Sequence, residues 1–187
     1  MSLLSSLILL QVFSRLLHFG LQQAIMRWCS LSMIGLGQMQ LEFLMQTILN
    51  LSREPVRWAL LRSKQKSGGS RLALLIGVGI ASLLVPCYSV GRDLAYAAAC
   101  GAFAMAALIE LATEPHLLWL TLNAAGGGRL RAEGLSLTLK GLSTLGILHW
   151  APLPDEQSLS LLAFSLGQLI YALTLFTACS CLSGAPR

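Results

Sequence analysis

Nine charged residues lie inside otherwise apolar stretches of this sequence, and they are its main candidates for chemistry. They are four cations and five acids: Arg15, Arg53, Arg57 and Lys140 against Glu42, Glu54, Glu110, Glu114 and Glu133. Arg53 and Arg57 are four residues apart, as are Glu110 and Glu114, so each pair shares one face of a helix. Faces of opposite sign can neutralise each other, and arginine also binds phosphate through its forked guanidinium. The pattern therefore leaves two interpretations open, a lattice of structural ion pairs and a polar transport path.

Motifs of soluble enzymes are missing from the sequence. It contains no G-x-x-x-x-G-K-[ST], no G-x-G-x-x-G and no H-E-x-x-H. The five cysteines form no C-x-x-C pair, so we expect them to pack as small apolar residues without a disulfide or a metal. We accordingly predict a protein that is not an enzyme, with no catalytic residue, no metal site, no cofactor and no nucleic-acid partner.

The composition indicates a membrane protein. Of the 187 residues, 55% are hydrophobic and only 11% are charged, whereas soluble domains carry about 25% charged residues. A transmembrane helix needs about 20 apolar residues, so we predict an all-α membrane protein in which residues 1–187 form a single six-transmembrane-helix bundle. The six predicted helices are Leu3 to Met26, Met39 to Leu61, Leu72 to Tyr88, Leu94 to Leu122, Leu130 to Trp150 and Ser158 to Cys181.

The breaks between these helices differ in strength. Polar, glycine-rich or proline-rich stretches mark three of them clearly, at 64–70, 124–128 and 152–156. The break at 30–37 is weaker. Leu3 to Phe13 has the length of a signal-peptide core, but it lacks a cationic segment before it and a cleavage site after it, so we predict a retained first helix. Pro55 predicts either a bend beside a cavity or an interfacial helix end, and Pro115 predicts a bend.

Basic residues in the connections predict the orientation. If six helices alternate, seven basic residues lie on one side: Arg62, Lys64, Lys66, Arg71, Arg129, Arg131 and Arg187. Only Arg27 and Arg92 lie on the other side. We therefore predict that both termini and the connection at 64–70 face the cytosol, and that 152–156 faces the lumen.

Four strings, in this order along the chain, resemble the RFT1-like family of endoplasmic-reticulum membrane proteins. They are LQVFSR at 10–15 with His18, SREPVR at 52–57, ELATEP at 110–115, and AEGLS at 132–136 with the following Lys140. The sequence departs from the family pattern at Gln22, in place of an asparagine, at Gln40, in place of a cation, and at Glu42, an additional acid. The resemblance covers essentially the whole chain but only the first of the two six-helix lobes of the family.

The resemblance implies one lobe of a two-lobed flippase, in the superfamily that includes bacterial lipid II flippases and multidrug extruders. It implies movement of the dolichol-diphosphate-linked heptasaccharide precursor of N-glycosylation from the cytosolic to the lumenal leaflet, with a second six-helix lobe in the full-length protein. The cations expected to bind the diphosphate are Arg15, Arg53, Arg57 and Lys140. The acids expected to pair with them when the site is empty are Glu110, Glu114 and Glu133. Two alternatives stay open: a non-transporting membrane scaffold in the same pathway, and an inactive truncated fragment.

Overall fold

A computed structural model describes residues 3–28, 34–62, 69–91, 93–122, 126–150 and 156–184. Within these ranges the chain forms helices and turns, with no strand, which confirms the all-α part of the prediction. A π-helical segment, Gly35–Leu41, leads directly into the second α-helix. The six α-helices are α1 Leu3–Trp28, α2 Glu42–Arg62, α3 Gly69–Ser89, α4 Leu94–Leu122, α5 Gly126–Trp150 and α6 Glu156–Gly184.

Two of the described helices are long and apolar enough to cross a membrane. These stretches are Leu94–Glu114 of α4, with 21 residues, and Ser158–Leu182 of α6, with 25 residues. Each matches the length of about 20 residues that a hydrocarbon core requires. A shorter apolar stretch, Leu74–Ser89, lies in α3. Of the charged residues that lie within the six helices, most are in α2 and α5. The six-span bundle stays a prediction.

Helix α4 lies at the centre of the packing, against α6, α3 and α2. Its buried residues are mostly small, including Ala99, Cys100 and Ala107. Small side chains let helix backbones approach closely, which is how apolar helices associate when lipid competes for their surfaces. Leu44 and Ile48 of α2 complete the same core. Helix α1 packs against α5 instead.

The connection from α3 to α4 is short. The backbone N–H of Val90 donates to the carbonyl of Pro86 at 3.0 Å, and Gly91 follows with a φ of 73°. This left-handed conformation ends a helix and is favourable for glycine because it has no Cβ. The carbonyl of Asp93 then accepts the N–H of Ala97 at 3.1 Å, which begins α4. The two helices are therefore neighbours joined by a tight turn.

The structure differs from the sequence expectations at the entry to α2 and at one proline. The sequence predicts a break at 30–37. Residues 29–33 lie outside the described residues, and the chain is helical by Ile34 and π-helical from Gly35. Buried Leu41 anchors this segment in the core, which explains why the chain is helical before Met39. Helix α2 continues beyond Pro55 to Arg62, so the helix end considered at that proline is wrong.

Candidate functional site

Three charged side chains form a buried cluster between α2 and α4, which we call the Arg53 cluster. The Nη2 of Arg53 donates to Oε1 of Glu110 at 2.8 Å, and its Nε contacts Oε1 of Glu114. The side chains of Arg53, Glu110 and Glu114 are 19%, 10% and 13% exposed. One guanidinium therefore neutralises charge on two carboxylates that lie one helical turn apart.

Close packing of α3 holds this cluster in register. A Cβ added to Gly77 of α3 would lie 2.7 Å from Cδ2 of Leu111 and 3.4 Å from the hydroxyl of Ser52. Ser52 immediately precedes Arg53 in α2, and Leu111 immediately follows Glu110 in α4. The absence of a side chain at Gly77 thus lets α3 lie against both helices that carry the cluster.

Lys140 of α5 occupies a second polar position. Its Nζ is 3.8 Å from Oε1 of Glu42 in α2 and 6.0 Å from the ring centroid of Tyr171 in α6. The Glu42 side chain is 42% exposed, and solvent weakens ion pairs of this kind.

A small pocket connects α1 to the Lys140 position. Its volume is about 20 Å³, which is room for about one water molecule. It brings side chains of α1 together with those around Lys140, and its wall is partly aromatic. The lining residues are His18, Gln22, Ile25, Glu42, Phe103, Lys140, Gly141, Thr144 and Phe164.

The structure brings some of the predicted site residues together and leaves others apart. Arg53, Glu110 and Glu114 form one cluster. Arg15 is exposed on α1, and Glu133 is half-buried on α5. Arg57 lies within α2, but its side chain is outside the described residues. The predicted roles of these residues in ligand binding stay predictions.

Sequence reasoning did not identify the residues that surround Lys140. Glu42 was among the charged residues of the apolar stretches, but as an acid in excess of the family pattern it was not assigned to the site. Tyr171 carried no signal because an isolated tyrosine in an apolar helix is unremarkable. Gln40, another departure from the pattern, accepts a hydrogen bond from the hydroxyl of Tyr96 at 3.1 Å. These contacts join helices that are far apart in the chain, so only the assembled bundle reveals them.

Two apolar helices that are long enough to cross a bilayer fit a membrane protein. The family model described as Rft protein matches residues 1–182. The chain belongs to the Rft protein family.

Curated relatives agree with this assignment. A protein of Yarrowia lipolytica is 29% identical over 89% of this chain and 28% of its own length. A protein of Candida albicans is 29% identical over 96% of this chain and 36% of its own length. A protein of Mus musculus is 30% identical over 92% of this chain and 34% of its own length. Each is named Man(5)GlcNAc(2)-PP-dolichol translocation protein RFT1. The chain spans about a third of the length of these relatives. No solved structure matches it.

Proposed function

We propose that this chain is the diphosphate-binding lobe of a membrane protein that translocates a dolichol-diphosphate-linked oligosaccharide across the endoplasmic-reticulum membrane. The names of the relatives motivate the substrate class. The observation that carries the proposal is the Arg53 cluster, because it holds a guanidinium in place between two carboxylates. A guanidinium has five N–H donors, so contacts with two acids leave further donors for a phosphate oxygen.

The acids give this cation a stable position before any ligand arrives. An unpaired arginine in an apolar bundle is costly, at roughly 2.5 to 3.5 kcal/mol on insertion scales. Glu110 and Glu114 offset that cost in the empty site. An anionic headgroup then takes over part of the neutralisation. Lys140 provides a second positive charge, and Arg15 and Arg57 are further candidates.

The proposal includes the membrane arrangement. All six helices cross the bilayer, residues 1–187 form one lobe, and both termini face the cytosol. A second six-helix lobe belongs to the longer protein, which agrees with the chain spanning about a third of its relatives. A two-lobed transporter places its binding site between the lobes near the middle of the bilayer, where the polar groups of α1, α2 and α5 would line one side.

The test is Arg53→Lys in the full-length protein, in cells that lack their own family member. Lysine keeps the positive charge that the two acids require but loses the fork that binds phosphate. At matched protein abundance, we expect the dolichol-linked oligosaccharide to accumulate and the occupancy of glycoprotein sites to fall. Arg131→Lys is the matched control, because Arg131 is exposed on α5, and it should leave both readouts unchanged.

Two results would contradict the proposal. If Arg53→Lys leaves lipid-linked oligosaccharide and glycoprotein occupancy unchanged, the fork does not bind the diphosphate. If removal of the whole protein impairs glycosylation while substitution of Arg53 and Lys140 has no effect, the scaffold hypothesis explains the protein better, since a scaffold does not need these cations.

A further inference from the structure

Helix α2 carries a polar stripe on its exposed face. Gln46, Asn50 and Glu54 recur every four residues, and all three side chains are exposed. Residues at this spacing lie on the same side of an α-helix. The opposite side of α2 is apolar and buried, with Leu44 and Ile48 in the core. The helix is therefore amphipathic, although it is part of an apolar bundle.

The stripe is continuous with the Arg53 cluster. Arg53 lies between Asn50 and Glu54 in the sequence and is about 60° from Asn50 around the helix axis. Its guanidinium contacts Glu110 at the edge of the stripe. A ligand whose phosphate meets Arg53 would thus have the rest of its polar headgroup beside Asn50. The stripe extends about 12 Å along the helix, which is longer than one sugar ring.

We propose that Gln46, Asn50 and Glu54 bind the sugar hydroxyls of the oligosaccharide headgroup while Arg53 binds its diphosphate. The inference rests on the proposed function and adds a sugar-binding surface to it. A carboxamide presents a donor and an acceptor side by side, and a carboxylate presents acceptors. Neutral polyhydroxyl groups match these side chains, whereas lipid tails cannot satisfy their hydrogen bonds. A sugar headgroup also explains why the stripe combines two amides with a single charge.

The experiment measures binding to the full chain reconstituted in lipid nanodiscs. Three ligands are compared: Man(5)GlcNAc(2)-PP-dolichol, dolichyl diphosphate and dolichol. The variants are Gln46→Leu and Asn50→Leu, tested singly so that neither creates a large new apolar surface. Gln23→Leu is the matched control, because Gln23 is an exposed amide on α1, while the adjacent Gln22 is the one that lines the pocket.

The unmodified chain should bind the glycan-bearing lipid more tightly than dolichyl diphosphate. Each stripe variant should weaken glycan-lipid binding about three- to tenfold, the effect of one lost hydrogen bond, with dolichyl diphosphate binding unchanged. Gln23→Leu should change neither. Thermal unfolding of each variant provides an independent check that the fold is intact.

The inference and the proposed function fail in different ways. If dolichyl diphosphate binds more tightly than dolichol and Arg53→Lys weakens it, but the stripe variants keep the full preference for the glycan, the sugar-binding surface alone is overturned. Lipid or another segment of the protein would then cover the stripe. If dolichyl diphosphate binds no better than dolichol, the diphosphate site is overturned. Equal weakening by Gln23→Leu would also overturn the inference, because the effect would then not depend on the stripe.

Discussion

Removal of Arg53 alone should destabilise the fold more than removal of its whole cluster. Arg53→Gln removes the guanidinium that contacts the neighbouring carboxylates of Glu110 and Glu114, which are 10% and 13% exposed. Breaking a buried ion pair in this way costs about 3 to 5 kcal/mol. We expect about 3 kcal/mol, the lower end of that range, because solvent reaches part of the Arg53 position. The triple variant with glutamine at all three positions removes the cation and both acids of the cluster together, so we expect a cost of only about 1 kcal/mol.

Thermal unfolding of the detergent-solubilised chain, followed by tryptophan fluorescence, separates these expectations. For a chain of this size 1 kcal/mol corresponds to about 2 to 4 °C in Tm. Arg53→Gln should therefore lower Tm by about 6 to 12 °C, and the triple variant by about 2 to 4 °C. A triple variant that is as unstable as Arg53→Gln would refute the reasoning, because the loss would then come from packing rather than from the charge of the two carboxylates that Arg53→Gln retains.

Three further predictions test the packing, the charges and the topology. Gly167→Ala should lower the free energy of unfolding by about 1 to 3 kcal/mol, because the added Cβ would meet the hydroxyl of Thr144 in α5. Gly101→Ala has open space around the added Cβ, so it should change the free energy of unfolding by no more than about 0.5 kcal/mol in the same assay. Lys140→Gln should change stability by less than about 1 kcal/mol, since its partner Glu42 is 42% exposed, but should weaken binding of dolichyl diphosphate; a large loss of stability would contradict this. Lys66→Cys, in a chain without other cysteines, should react with an impermeant thiol reagent only from the cytosolic side, and modification only from the lumen would overturn the topology.

Hydropathy predicts the helices well because it depends on local composition. The all-α class is confirmed, and α4 has the predicted limits, Leu94–Leu122. The entry to α2 was less predictable. Its π-helical segment, Gly35–Leu41, contains two glycines and a serine-rich stretch precedes it, so composition favoured a break. Packing of Leu41 into the core stabilises helical structure there, and this is a tertiary effect that a sequence window does not contain.

In the candidate site, too, the sequence predicts local features but not the contacts between helices. Helical periodicity is enough to place Glu110 and Glu114 on one face of α4. It does not identify their cation, because Arg53 is 57 residues from Glu110 in the chain. Nor does it identify the neighbours of Lys140, which contacts Glu42 of α2 and the ring of Tyr171 of α6. The spacing of charged residues thus predicts faces, and helix packing determines which faces meet.

Arg53 and Lys140 differ in how strongly neighbouring acids hold them. Substitutions at the two positions should therefore affect the stability of the fold and the binding of a ligand to different extents. Arg53 contacts two mostly buried acids, one at 2.8 Å, so any substitution that removes its charge also affects the fold. Lys140 contacts the partly exposed Glu42 at 3.8 Å, and little stability depends on that contact. On the proposed function, Lys140 can transfer its interaction from Glu42 to a phosphate at low cost, while Arg53 keeps its carboxylates and adds the phosphate to them. Variants of Lys140 are therefore the cleaner probe of ligand binding, and variants of Arg53 need the conservative lysine substitution to be interpretable.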